Sequence, residues 1–146
     1  ADYPAALLAL GATVVTNKRE IAADEFFTGL FSTDLEEGEI ITRVDFGKAE
    51  AAGYAKFAQP ASLYALVGVF VAKRGDEVRV AVTGAGDDGV FRSEALEAAL
   101  AKDFSEAAAK GAEISADGLM SDIHGDADYR AHLIRVMAAR AVEGAA

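Results

Sequence analysis

The stretch YALVGVFVAKRGDEVRVAVT, Tyr64 to Thr83, decides the fold. Its first half, Tyr64 to Lys73, is almost wholly apolar, as a strand covered on both faces must be. Arg74-Gly75-Asp76 is a short turn, and Glu77 to Thr83 then alternates polar and apolar residues. That pattern predicts an antiparallel hairpin whose first arm is central. On its N-terminal side, Tyr54 to Gln59 reads as a third strand. On its C-terminal side the period changes to that of helices. Ser93 to Ala101 places Leu96 and Leu100 on one face. Ser105 to Lys110 is a short alanine-rich helix. Asp126 to Val142 is the longest, with Asp126 as its N-cap and Asp128 in the positive first turn. Leu133, Val136, Met137 and Arg140 run along it. Strands followed by helices predict an α+β fold, a small antiparallel sheet packed with a helical cluster.

Upstream, Gly47 to Ala52 reads as a small-residue connector, so a domain boundary is placed there, dividing residues 1–48 from 49–146. The first part opens with a short helix, Pro4 to Leu10, stopped by Gly11. A buried strand at Thr13 to Thr16, a polar turn at Asn17 to Arg19 and an extended run from Ile21 follow. Ala23 to Phe27 is a brief helical turn and Leu35 to Gly38 a solvated one. Glu39 to Phe46 is β-branched and alternating, hence a strand.

The 146 residues carry 14 Lys and Arg against 24 Asp and Glu, a net charge of −10. With 52% hydrophobic residues the chain can bury a core and is not a disordered tail. The negative balance argues against a general nucleic-acid binder and against docking on anionic lipid. No apolar run reaches the roughly 18 residues of a transmembrane helix, and no basic segment marks a secretion signal. A cytoplasmic location is the expectation. Cysteine is absent, which removes disulfides, thiolate metal sites and cysteine nucleophiles from this chain.

Motif matches are mostly misleading. Gly84 to Gly89 fits G-x-G-x-x-G, but the preceding strand belongs to a hairpin. The dinucleotide fingerprint needs a parallel βαβ unit, and Asp87 and Asp88 would oppose a pyrophosphate. A glycine-rich turn leading to a helix is expected instead. Asp122 to Asp128 has the oxygen spacing of a calcium loop, yet Ala127 replaces its glycine and Leu133 its bidentate glutamate. His124 and His132 lack a third partner for zinc. Glu36/Glu37 and Asp87/Asp88 lie in solvated turns with nothing apolar to raise a pKa.

Gly53 to Leu66 is different. Tyr54, Lys56 and Ala58 share one face of a strand, and Tyr64 follows across a proline turn. A lysine and an aromatic so placed can form a wall for a flat anionic ligand. A snorkelling lysine beside a core tyrosine is the alternative.

The stretch YAKFAQPASLYALVGVFVAK resembles the flavoprotein subunits of molybdenum hydroxylases, the xanthine dehydrogenase and aerobic carbon monoxide dehydrogenase group. ADYPAALLALGATVV, GEIITRVDF, VRVAVTGAGDDGVFR and DADYRAHLIRVMAARAV resemble the same subunits, in order, with the carbon monoxide dehydrogenase medium subunit most similar. The resemblance implies the C-terminal part of an FAD-binding domain over 1–48 and the family's C-terminal domain over 49–146. It implies an oxidoreductase subunit that passes electrons from [2Fe–2S] clusters to an external acceptor through FAD. The partners would be an iron–sulfur small subunit and a large subunit holding the molybdenum cofactor. It further implies that Asp2 contacts the FAD ribityl region, that Ile41 and Tyr64 lie beside the isoalloxazine, and that Lys56 contacts the flavin. No catalytic side chain and no metal ligand is implied in this chain. The family's glycine-rich pyrophosphate loops have no counterpart in these residues, so FAD binding by this piece alone is expected to be weak or absent. The alternative is a non-catalytic docking module for assembly of the complex.

Overall fold

The computed structural model describes residues 1–146. The hairpin forms as expected and becomes the middle of a four-stranded antiparallel sheet. Its strands are β6 (Ala51–Ala58), β7 (Ala65–Arg74), β8 (Glu77–Gly86) and β9 (Gly89–Arg92), in that spatial order. Three helices, α3 (Glu94–Lys102), α4 (Glu106–Gly111) and α5 (Ala127–Glu143), form a cluster on one face. Val67, Val69 and Val71 of β7 and Val78, Val80 and Val82 of β8 meet Leu96, Leu100, Ile134 and Met137 there. Each such fully buried side chain contributes about 1.5–3 kcal/mol, so this layer is the main core. Asp126 caps α5 by accepting the Tyr129 N–H at 2.8 Å.

The opposite face is covered by α1 (Tyr3–Ala9). Ala5, Leu8 and Ala9 pack with Ala72 and Ala81, and Phe70 lies against them. Alanine on both sides lets helix and sheet approach closely. Beyond α1 lies a second antiparallel sheet, β1 (Thr13–Thr16) between β2 (Glu20–Ala22) and β5 (Ile41–Asp45). Helix α2 (Ala23–Phe26) leads into a small hairpin, β3 (Phe27–Gly29) and β4 (Ser32–Thr33).

Three expectations need correction. Gly84 to Gly89 does not lead to a helix. Strand β8 runs through Gly86, turns at Asp87-Asp88 and returns as β9. Gly84 (φ +81°) and Gly89 (φ +106°) take left-handed backbone there, which is what the glycines serve. The connector at Gly47 to Ala52 is shorter than expected, because β6 already begins at Ala51. Its small residues belong to the strand because α5 passes close above. A Cβ on Gly53 would overlap the Ala141 carbonyl. Finally, Glu39 is not a strand residue, since β5 starts at Ile41. Glu39 is buried, and its carboxylate accepts from Thr16 Oγ1 at 2.7 Å, Arg19 Nε at 3.0 Å and the Glu36 N–H at 2.8 Å. Arg19 also reaches the Asp34 carboxylate at 2.8 Å, closing the loop between β4 and β5.

Candidate functional site

The face of the sheet that α1 covers only in part carries the site. Register places Lys56, Gly68 and Thr83 in one row across β6, β7 and β8, and Tyr54, Phe70 and Ala81 in the next. Tyr54 and Phe70 stack with ring centroids 6.0 Å apart. Gly68 leaves a gap in its row, and the Tyr54 ring leans into it. A Cβ at Gly68 would lie 2.5 Å from Tyr54 Oη and 3.0 Å from Thr83 Cγ2.

Asp2, at the N-cap of α1, docks on this face. Tyr54 Oη donates to Asp2 Oδ1 at 2.8 Å, and Lys56 Nζ donates to Asp2 Oδ2 at 2.8 Å. Thr83 Oγ1 donates to the Ala1 carbonyl at 2.8 Å. Partial burial opposes ionisation of Asp2, but the Lys56 and Tyr54 hydrogen bonds outweigh it and hold the carboxyl below its ordinary range. Burial, reinforced by the neighbouring Asp2 charge, pushes the Tyr54 phenol upward, so it stays a donor at neutral pH. Tyr54 thus joins the site as a residue whose part the sequence pattern left open. Its face-sharing with Lys56 was legible. The partner fifty-two residues upstream was not.

Lys56 also donates to the Leu63 carbonyl at 3.1 Å. It therefore ties the loop between β6 and β7 to α1, and its charge is answered by Asp2. Tyr64 ends that loop with its side chain exposed (66%). It lines a cleft of about 630 Å³ together with Phe27, Phe31, Val90, Met120 and the backbones of Gly84, Gly86 and Gly89. Phe31, at the tip of the β3–β4 hairpin, is 98% exposed at its rim. Ile41 does not join this group. It stands on β5, opposite Thr16, and lines neither of the two large clefts. The structure therefore brings Asp2 and Lys56 into contact, sets Tyr64 beside them, and leaves Ile41 apart.

The chemistry of the cleft is one-sided. Aromatic and aliphatic side chains with close-approaching glycines suit a flat, largely apolar ring. No lysine or arginine lines it. An adjoining cleft of about 550 Å³ carries Asp87, Asp88, Glu94, Glu113 and Asp117 around the single cation Arg92. That surface repels phosphate. The residues present fit the ring of a flavin and do not fit its pyrophosphate.

A buried cation lies behind the cleft. Arg130 of α5 is 1% exposed. Its Nη1 donates to the carbonyls of Leu66 at 2.8 Å and Gly84 at 3.0 Å, and its Nη2 to Asp122 Oδ2 at 2.9 Å. Sequence reasoning passed over it. Its one available signal was a lone arginine on the otherwise apolar face of α5.

The fold is α+β, with antiparallel sheets and helices, and the comparisons relate it to known proteins. Residues 1–48 match the family of the FAD binding domain in molybdopterin dehydrogenase. The chain is 33% identical over 159 residues to the nicotine 6-hydroxylase medium subunit of Paenarthrobacter nicotinovorans, covering 97% of this chain and 54% of that protein. It is 29% identical to the carbon monoxide dehydrogenase medium chain of Hydrogenophaga pseudoflava, covering 99% and 55%. The crystal structure of quinoline 2-oxidoreductase from Pseudomonas putida 86 superposes with a TM-score of 0.76 at 26% identity, covering 98% of this chain and 55% of that one. The chain is similar along nearly its whole length to medium subunits of this kind, and its first third matches the FAD-binding domain model. It spans about half the length of the relatives it matches. No helix in it is long and apolar enough to cross a membrane.

Proposed function

We propose that this chain supplies the ring side of the FAD site in the electron-transfer subunit of a molybdenum hydroxylase. The single observation that carries the reading is the largely apolar cleft with Tyr64 on its wall and no lysine or arginine in its lining. When bound, FAD would supply the redox chemistry, taking electrons that originate at a molybdenum subunit and arrive through [2Fe–2S] clusters. Tyr64, on the cleft wall, would cover one face of the ring and limit access to it. Asp2, held by Tyr54 and Lys56, would be the residue to meet the ribityl chain. Lys56 fixes both Asp2 and the Tyr64 loop. Residues 1–48 complete the FAD-binding domain, and 49–146 form the family's C-terminal domain.

The similarity to the carbon monoxide dehydrogenase medium chain does not exceed that to the nicotine 6-hydroxylase subunit. The proposal is therefore for the shared role, electron transfer through FAD, with a carbon monoxide dehydrogenase-like complex as one member of the class. The iron–sulfur and molybdenum subunits are the proposed partners.

The test is made in the whole flavin-loaded subunit. Tyr64→Ala is expected to speed reoxidation by oxygen, and Lys56→Met to shift the flavin reduction potential. Unchanged reoxidation and potential in both variants sinks the reading. Partner binding without FAD, unaffected by either substitution, would favour a docking module instead.

A further inference from the structure

Tyr64 is exposed, and no hydrogen bond of its hydroxyl holds the ring. Its orientation must come from the backbone of the Gln59–Tyr64 loop. That loop is strained. Leu63 takes φ +61°, a left-handed conformation that costs a leucine about 1–2 kcal/mol. Its side chain is 68% exposed, so burial does not offset the strain. Something else must hold the loop.

The loop closes through two backbone bonds, Gln59 N–H to the Tyr64 carbonyl and Leu63 N–H to the Gln59 carbonyl, each 2.8 Å. The Gln59 side chain bridges inward and outward. Its Oε1 accepts the Ala61 N–H at 2.9 Å, so its Nε2 must face away, and it lies 2.8 Å from His124 Nδ1. Nδ1 is therefore the acceptor. His124 is placed by its own N–H, which donates to Asp122 Oδ1 at 2.8 Å. The other oxygen of Asp122 accepts from Arg130 Nη2, and Nη1 of the same guanidinium donates to the carbonyl of Leu66, two residues beyond Tyr64. Besides the Lys56 bond to the Leu63 carbonyl, one buried guanidinium braces both ends of the loop, directly at Leu66 just beyond Tyr64 and through Asp122 and His124 at Gln59.

We infer that His124 is a positioning residue for Tyr64, forming with Asp122 and Arg130 a latch that sets the loop against the bound ring. The consequence for FAD rests on the proposed role of Tyr64; the effect on the loop does not.

Two variants test it. His124→Ala removes the acceptor, and His124→Asn restores an oxygen near the Nδ1 position. His124 is exposed, so both variants should fold. In hydrogen exchange of the full chain, the Ala61 and Leu63 amides should exchange about tenfold faster in His124→Ala, as loss of one hydrogen bond implies. They should slow again in His124→Asn, with the β7 and β8 core amides unchanged. Unaltered exchange in His124→Ala, or no recovery in His124→Asn, overturns the latch. The flavin-loaded subunit supplies the second readout. Quenching of flavin fluorescence should weaken in Tyr64→Ala and, to a lesser degree, in His124→Ala, with recovery in His124→Asn. If Tyr64→Ala relieves quenching and His124→Ala does not, the latch is refuted. If Tyr64→Ala itself leaves quenching unchanged while loop exchange still responds to His124, the latch stands and the flavin role of Tyr64 falls.

Discussion

Gly68→Ala is the sharpest probe of the site's construction. The backbone at Gly68 is not left-handed, so an alanine there is conformationally allowed. Through the unfolded chain alone the substitution would stabilise by about 0.4–1 kcal/mol. The structure reverses that sign. The new Cβ would stand 2.5 Å from Tyr54 Oη, 3.0 Å from Thr83 Cγ2 and 3.2 Å from Tyr54 Cε2. Tyr54 must swing out. Overpacking costs about 1–3 kcal/mol. The hydrogen bond to the Asp2 carboxylate goes with it, and at a half-exposed carboxylate it is worth about 1.5 kcal/mol. The expected net loss is about 2–3 kcal/mol. A Tyr54→Phe background removes the closest atom and the hydrogen bond together. There, Gly68→Ala should cost no more than about 1 kcal/mol. The assay is a double-mutant cycle by urea unfolding, read from midpoints at constant m-value. A coupling of about 1–2 kcal/mol is expected. An equal penalty in both backgrounds, or stabilisation in the parent, would refute the account of how Tyr54 fills the glycine gap.

Further outcomes follow from the same contacts. Arg19, with the Glu36 N–H and Thr16, lowers Glu39 from the ordinary 4.5 to about 2. A depressed carboxyl stabilises the fold above its unfolded pKa and loses that contribution as pH falls through the folded one. Thermal melts should therefore drop between about pH 4.5 and 2, and Glu39→Gln should be less stable at pH 7 yet flatter across that window; parallel curves would remove Glu39 as a cause. Leu96→Ala, at a fully buried position on the sheet-facing side of α3, should cost about 2–5 kcal/mol in chemical unfolding. A loss under about 1 kcal/mol would mean that this layer repacks freely. Gly84→Ala combines φ +81° with overlap on the Ala65 carbonyl. Its expected cost exceeds about 2 kcal/mol, and an unchanged melting temperature would contradict the placement of β8 against the residue after Tyr64.

The central sheet was legible in the chain because local rules suffice there. An apolar run followed by a turn and an alternating run can pair in only one sense, and Leu96, Leu100, Leu133 and Met137 declare the helix faces that cover it. Asp126 announces its helix by side-chain chemistry alone. Lys56 and Tyr64 stood out for the same reason, a cation and an aromatic flanking a proline turn.

Other features required the fold. Ala51 to Gly53 has the composition of a connector, and only the close approach of α5 makes it strand. The glycines from Gly84 to Gly89 permit several turns, and the pairing of β9 with β8 selects one. Glu39 is indistinguishable in sequence from its solvated neighbours Glu36 and Glu37, yet it alone meets Arg19 and Thr16. Asp2 finds Tyr54 and Lys56 across more than fifty residues, and Arg130 finds Leu66 and Gly84 across two strands. Periodicity and turn chemistry are properties of neighbouring residues and so are written in the order of the chain. A polar partner distant in sequence is chosen by whatever the packed layers bring within hydrogen-bond reach, and that choice exists only in the folded protein.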